Sequence, residues 1–430
     1  MIPVIVTLLA GATPPPGADW IGGPNWIVLG DPAVLAKHPG VWMAEPDRRL
    51  PVATRAWDDP ARGGQWYADA LGMETLWEVS TGSPALRVAV IDSGIDITHP
   101  DLATAVAEPY DALAQDDDPS PPCEDLTAPD CDSHGTSVSG VIAARGNNQV
   151  GIVGLCPSCT LVPIRMLGAR GGGSLSEILR AFEHAIASDA AVINNSWGFT
   201  EHVAVPPQLA EVIRRAATEG RGGKGALVVF AAGNDDRELL NDEMEALPEV
   251  LCVSATDSYG YPTNYTNYGD AVDLAAPSAT VTIIPGGGTT VTFGGTSAAA
   301  PVASGLAIWA ASVEPDLTGA ELRDLLVDAS VPSPLVLDTD GDGHDAYYGY
   351  GELDALNVLY ALRPDLAPVV DAGAGVDDTA TEDAGGGCAC TTTPSKPPTG
   401  GVGLGWVAAL AGLVGFWGGR RRALNRRLLA

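Results

Sequence analysis

A mostly parallel β-sheet with helices on both faces, an α/β fold, is predicted by three observations. Five short apolar runs have the length and continuity of strands covered on both sides. Helical patterns lie between and after them, and strand, helix, strand in succession makes a parallel sheet. Polar residues able to carry chemistry sit just past the strand ends, where such sheets collect their working groups.

In chain order the strand-like runs are RVAVI (87–91), TLVPIRML (160–167), AVINNSW (191–197), ALVVFAAG (226–233) and EVLCVSAT (249–256). The helical patterns are HGTSVSGVIAAR, SLSEILRAFEHAIAS, PPQLAEVIRRAATEG, the segment that follows Ser297, and TGAELRDLLVDAS. No internal repeat interrupts this alternation. With 430 residues, 46% of them apolar, the chain can bury one large core and still carry tails.

A formal charge of −31 argues against a nucleic-acid partner, which needs basic patches to neutralise phosphate. Calcium or basic substrates suit such a surface, although solubility alone would also account for it. Cysteines fall in near-neighbour pairs, Cys123 with Cys131, Cys156 with Cys159 and Cys388 with Cys390, leaving Cys252. These spacings fit disulfides of an oxidising compartment better than a four-ligand metal site. Cys156-Pro-Ser-Cys159 precedes a strand-like run instead of opening a helix, so a structural bridge is expected there. Cys252 lies inside EVLCVSAT and is expected to be buried and inert.

Both ends read as addresses. The apolar run 2–10 with Ala10-Gly11-Ala12 suggests a signal peptide over 1–12. Residues 364–400 are too rich in Gly, Thr, Pro and Asp to fold, and form an expected linker. Residues 401–419 are long and apolar enough to cross a bilayer, and the arginine-rich tail 420–430 would stay in the cytoplasm. The order cysteine pair, spacer, apolar helix, arginines resembles C-terminal sorting signals of the MYXO-CTERM type. Export to the cell surface, or release after processing, is the localisation this implies.

Between these ends the polar groups converge. RVAVI runs into Asp92, ALVVFAAG runs into Asn234, and AVINN runs into Ser196-Trp197-Gly198. His134 and Ser297 each open a helix, the latter within FGGTSAAAPVASG. A serine hydroxyl needs a base to take its proton, and the base needs an acid to fix its tautomer. Asp92, His134 and Ser297 supply those three types. The backbone N–H of Ser297 and the side chain of Asn234 could stabilise a developing oxyanion.

Asp92 in VIDSGID, His134 in HGTSVSG, Asn234 in AAGN and Ser297 in GTSAAAP resemble the motifs of the subtilisin-type (subtilase) serine proteases, from about residue 55 to 360. The order Asp, His, Ser is also that family's. The resemblance implies a subtilisin-like catalytic domain over 55–363 and a secreted or surface-anchored endopeptidase acting through an acyl-enzyme on Ser297. Its substrates would be polypeptides. Gly171, Gly172 and Gly173 in LGARGGGSLSEI would form one backbone edge for an extended substrate, and Ser196, Trp197 and Gly198 the opposite edge. Small residues around Ser297 then keep space for the peptide.

The resemblance also implies calcium. ITHPDL and GNNQVGIVG are similar to the two halves of a family calcium site, with Asp101 and Asn148 giving side-chain oxygens and carbonyls near Gly146, Val150 and Ile152. Asp338, Asp340 and Asp342 stand at calcium-loop spacing, or form a turn of surface acids, and Asp116-Asp117-Asp118 reads as solvated. Residues 13–54 resemble a short propeptide that occupies the cleft as an intramolecular inhibitor. NNSWG and GTSAAAP lean toward kexin-like members, which prefer basic residues before the cut. Glu201 sits about where such members carry an acid, and Asp242 to Glu245 supply more. The alternative class is a catalytically silent subtilisin-fold surface-binding protein, and an esterase or ligase would share the acyl chemistry. All four chemical positions are filled, which favours the protease.

Overall fold

The computed structural model describes residues 57–128, 130–168, 172–333 and 343–367, together with four strands and short connecting stretches within 2–46. The chain divides into two units, Met1–Pro368 and Val369–Ala430. The linker beyond residue 367, the apolar 401–419 segment, the arginine tail and the Cys388–Cys390 pair lie outside the described residues.

Residues 2–46 contain β1 (Ile2–Leu8), β2 (Asp19–Gly22), β3 (Asn25–Gly30) and β4 (Val41–Pro46), an antiparallel sheet in the order β2-β3-β1-β4. The apolar run of the expected signal peptide thus forms β1, paired on both sides, with β3 and with β4. The apolar run that suits a signal peptide also contains Val4, Ile5, Val6 and Thr7, and β-branched residues favour a pleated strand.

The main sheet has seven parallel strands in the order β11-β10-β9-β8-β5-β7-β6. β5 (Arg87–Asp92) lies between β7 (Thr160–Arg165) and the central strand β8 (Val192–Asn195), and beyond β8 come β9 (Leu227–Ala231) and β10 (Val250–Thr256). These five correspond to the five runs read from the sequence. β6 (Tyr110–Asp111) and β11 (Leu274–Pro277) complete the edges. Every residue of β8, β9, β10 and β11 is buried, which is why these strands read as unbroken apolar runs and not as alternation.

Helices cover both faces. α1 (His134–Ala143) and α4 (Thr296–Val313) share one core with β5 and β9, while α2 (Leu175–Ala187) and α3 (Pro207–Thr218) close the other. α5 (Gly319–Ala329) and α6 (Ala355–Leu362) pack against α4. Capping boxes fix two helix starts, Ser174 with Glu177 before α2 and Thr318 with Glu321 before α5. α4 is apolar all round because it runs through the interior: Ala298, Ala299, Ala300, Leu306 and Trp309 are fully buried. Among the described residues it is the one helix long and apolar enough to cross a membrane, yet 83% of it is buried within the protein.

Two disulfides form as the pairing in sequence suggested, Cys123–Cys131 and Cys156–Cys159, and Cys252 is buried and free.

Candidate active site

The carboxyl end of β5 delivers Asp92, and the first residue of α1 delivers His134. The His134 ring bonds to Asp92 through Nδ1 at 2.7 Å. Gly135 permits this approach, since a Cβ there would stand 2.4 Å from the carbonyl oxygen of Gly94 and 3.0 Å from Cβ of Asp92. The Asp92 side chain is fully buried, while that of His134 is 34% exposed, so the ring bridges interior and solvent. Asp92 Oδ1 also accepts from the Ser93 N–H at 2.7 Å, which fixes the carboxylate plane. Asp132, not singled out in the sequence, accepts from the His134 N–H at 2.9 Å and from the Ser93 hydroxyl at 2.9 Å, tying the start of α1 to the end of β5. Burial pulls the His134 pKa down, but the charge and hydrogen bond of Asp92, helped by the charge of Asp132, outweigh it and leave the imidazole above its ordinary value.

Ser297 is in the first turn of α4, where backbone N–H groups have no partner within the helix. Its hydroxyl donates to the Ser196 carbonyl at 3.0 Å, so in this state it is turned to the end of β8. The Ser196 hydroxyl donates back to the Ser297 carbonyl at 3.0 Å and accepts from Asn194 Nδ2 at 3.0 Å. Asn194 Oδ1 accepts from Ser304 at 2.8 Å, closing a buried chain of polar groups that joins α4 to β8. α1 packs against α4, and the Phe293 ring, just upstream of Ser297, meets the His134 ring edge-on at 5.7 Å.

Asn234 follows the end of β9. Its Oδ1 accepts from the Thr296 N–H at 2.8 Å and from the Thr296 hydroxyl at 3.1 Å, an arrangement that aims the amide nitrogen away from Thr296. Gly295 is required here twice over: its φ is +80°, and a Cβ on it would lie 3.1 Å from Asn234 Oδ1. The small residues before Ser297 therefore serve the Asn234 contact as well as leaving open space.

Of the expected substrate edges, Gly171 lies outside the described residues, and Gly172 accepts a turn-closing bond from the Gly168 N–H at 2.8 Å. Gly173 lies against the sulfur of Met166, 2.6 Å from where a Cβ would stand. Trp197 is held edge-on against Phe230 at 5.2 Å. Glu201 is exposed, whereas Glu245 is buried beside Gly198. Of the expected calcium ligands, Asp101 and Asn148 do meet: Asn148 Nδ2 donates to Asp101 Oδ1 at 2.8 Å. The Val150 N–H donates to Asn148 Oδ1 at 2.9 Å, so Val150 belongs to the same loop. Asp338, Asp340 and Asp342 lie outside the described residues. Among the described residues no group of three or more His, Cys, Asp or Glu side chains forms a metal cluster.

A parallel α/β sheet with an acid–imidazole pair at one strand end, and a serine opening the neighbouring helix, is the layout of a serine hydrolase. A model of the subtilase family matches residues 84–351. The thermophilic serine proteinase of Bacillus sp. (strain AK1) is 31% identical over 354 residues, covering 81% of each chain. The calcium-dependent protease of Nostoc sp. (strain PCC 7120 / SAG 25.82 / UTEX 2576) is 28% identical over 343 residues, 70% of this chain and 50% of that relative. A solved protease structure from Pseudoalteromonas arctica PAMC 21717 matches with a TM-score of 0.59 at 26% identity, covering 71% of this chain and 99% of that one. The chain belongs to the subtilase family and is a serine endopeptidase of the subtilisin type.

Proposed function

We propose that Asp92, His134 and Ser297 act as a catalytic triad that hydrolyses polypeptides through an acyl-enzyme. The observation that carries this reading is the 2.7 Å bond between His134 Nδ1 and Asp92, which leaves the far ring nitrogen as the base. Rotation of the Ser297 side chain away from the Ser196 carbonyl brings its hydroxyl to His134. His134 takes the proton as the oxygen bonds to the scissile carbonyl carbon. The oxyanion accepts hydrogen bonds from the Ser297 N–H and from Asn234 Nδ2. Collapse breaks the C–N bond, His134 returns the proton to the leaving amine, and water releases the acid by the reverse sequence. Gly171–Gly173 and Ser196–Gly198 would hold the substrate backbone between them as an added strand. The test is a p-nitrophenyl ester assay together with digestion of an unfolded protein. A burst of one product equivalent per enzyme, followed by turnover, is expected, and no burst with no digestion would contradict the reading.

His134 must be neutral to act as base, so kcat/KM rises with pH on an acid limb. Because Asp92 and Asp132 hold the proton on the ring, the midpoint of that limb is expected above the ordinary histidine value of 6.5. The Asp92→Asn variant loses the charge that raises it. Its midpoint should fall, and kcat should drop by about 10⁴ as the tautomer is no longer fixed. A pH–rate profile for both proteins checks the direction.

Calcium is the proposed structural ion, and two relatives are named calcium-dependent proteases. Asp101 is fully buried and Asp59 is 4% exposed. Burial pushes the Asp101 pKa up to about 7, the Ile152 N–H and the Asn148 amide offset part of this, and the charge of Asp59 adds to it. Two desolvated carboxylates with no cationic side chain bonded to either among the described residues suit a divalent cation. The Asn148 amide would have to turn its oxygen toward Asp101 to join it. Saturating calcium is expected to add about 3 kcal/mol, raising Tm by roughly 5–10 °C, and Asp101→Asn should abolish the calcium-dependent part. Differential scanning calorimetry with and without a chelator measures it.

The propeptide-like segment 13–54 is proposed as the intramolecular inhibitor. Export, by analogy with relatives named extracellular protease and halolysin, is the proposed localisation, with 401–419 as a candidate anchor.

A further inference from the structure

The short turn Met244–Ala246 lies directly beside Gly198. A Cβ placed on Gly198 would stand 3.1 Å from Oε1 of Glu245 and 3.7 Å from the terminal methyl of Met244. Glu245 is 4% exposed, and its Oε2 is buried with no hydrogen-bond partner among the described residues. A desolvated carboxylate oxygen left unpaired is costly, and such groups persist where something else completes them. The neighbouring cation is committed elsewhere: Arg237 donates to both oxygens of Glu243, at 2.8 and 2.7 Å. Ser297 bonds to the Ser196 carbonyl, and two residues of extended chain, at most about 7 Å, lead from there to Gly198. The free carboxylate thus lies about one long side chain away from the proposed point of acyl transfer.

We propose that Glu245 forms the foot of the pocket that receives the side chain on the acyl side of the scissile bond, and that it selects lysine or arginine there. The proposal rests on the triad reading above. A four-carbon ammonium stem or a guanidinium fork entering past Gly198 would supply the donors that Oε2 lacks. Exposed Glu201 cannot do this from solvent, where a charge pair is worth little.

Burial pushes the Glu245 pKa up to about 7; its own backbone N–H lowers it, the charge of Glu243 raises it and that of Arg237 lowers it. From β10 the Cys252 thiol faces the same carboxylate, and burial keeps that thiol protonated far above neutrality. Selectivity for a basic side chain should therefore strengthen as pH rises through neutrality, when Glu245 becomes anionic.

The test uses the full chain and two chromogenic peptides that differ only in Arg or Leu before the scissile amide. Wild type is expected to prefer Arg by at least about tenfold in kcat/KM at about pH 8 and to approach parity at about pH 6. The ratio cancels the titration of His134, which both substrates share. Glu245→Gln should lose about 10- to 100-fold on Arg, keep Leu within about twofold, and show a ratio that no longer changes with pH. Parallel loss on both peptides would make Glu245 merely structural and overturn the proposal, as would a pH-independent ratio in wild type, a result that needs no variant to fold. Fluorophosphonate labelling of the same samples separates the two readings. Labelled enzyme with no Arg preference defeats the Glu245 assignment alone, whereas unlabelled enzyme that still cleaves defeats the serine mechanism beneath it.

Discussion

Ser297→Ala lowers kcat by about 10⁶ while the protein remains folded; the scale is that measured for loss of the equivalent serine in the relative subtilisin. The reason is chemical and local. In the proposed mechanism the hydroxyl oxygen is the atom that bonds to the scissile carbon, and no other described residue stands in its place at the start of α4. Removing it costs the fold little, because the hydroxyl makes one hydrogen bond, to the Ser196 carbonyl, and that carbonyl lies at a strand end. The Ser196 hydroxyl still holds the backbone carbonyl of residue 297, so the start of α4 keeps its anchor. Active-site titration and a thermal melt on the same preparation check both halves. A residual rate above that of water is expected from the oxyanion donors and substrate alignment, which do not depend on the hydroxyl.

Asn234→Leu lowers kcat by about 10² to 10³ and leaves KM within a few-fold, the range seen when the equivalent donor is removed from subtilisin. In the proposed mechanism this donor acts only on charge that develops in the transition state, so ground-state binding is spared. Leucine also deletes the acceptor for the Thr296 N–H and hydroxyl, so a loss in this variant alone could reflect a loosened turn. Asn234→Asp resolves the ambiguity. It keeps an acceptor for Thr296 but places a negative charge where the oxyanion forms, and it is expected to lose at least as much kcat as leucine with a smaller drop in Tm. Equal activity of the aspartate variant and wild type would remove Asn234 from the mechanism.

The central strands were legible because both of their faces are covered, so Val88, Ala89, Val90 and Ile91 read as one apolar run. β11 was not, because Leu-Ala-Ala-Pro is short, weak in β propensity and ends in proline; its pairing with β10 comes from the sheet and not from its own residues. The pairing of β1 was not legible, since the apolar run 2–10 suits a signal peptide and its β-branched residues suit a strand equally well. Asp92 and His134, 42 residues apart, were readable as a pair because one ends a strand and the other opens a helix. The groups that aim them were not. Asp132, Thr296, Asn194 and Ser304 look like ordinary polar residues until the chain brings them within hydrogen-bond distance of the site. Two of these left a faint sign, Asn194 in an otherwise apolar strand and Ser304 in an alanine-rich buried helix. Glu245 was read only as one of the acids from Asp242 to Glu245, behind Glu201, and its burial beside Gly198 is what separates it from them.

The most direct measurement is peptide mass mapping of the full chain after inactivation by a fluorophosphonate. The account predicts a single phosphonylated residue, Ser297, with labelling slowed in Asp92→Asn and absent in Ser297→Ala. Modification of a different residue, or complete inactivation with Ser297 unmodified, would contradict it.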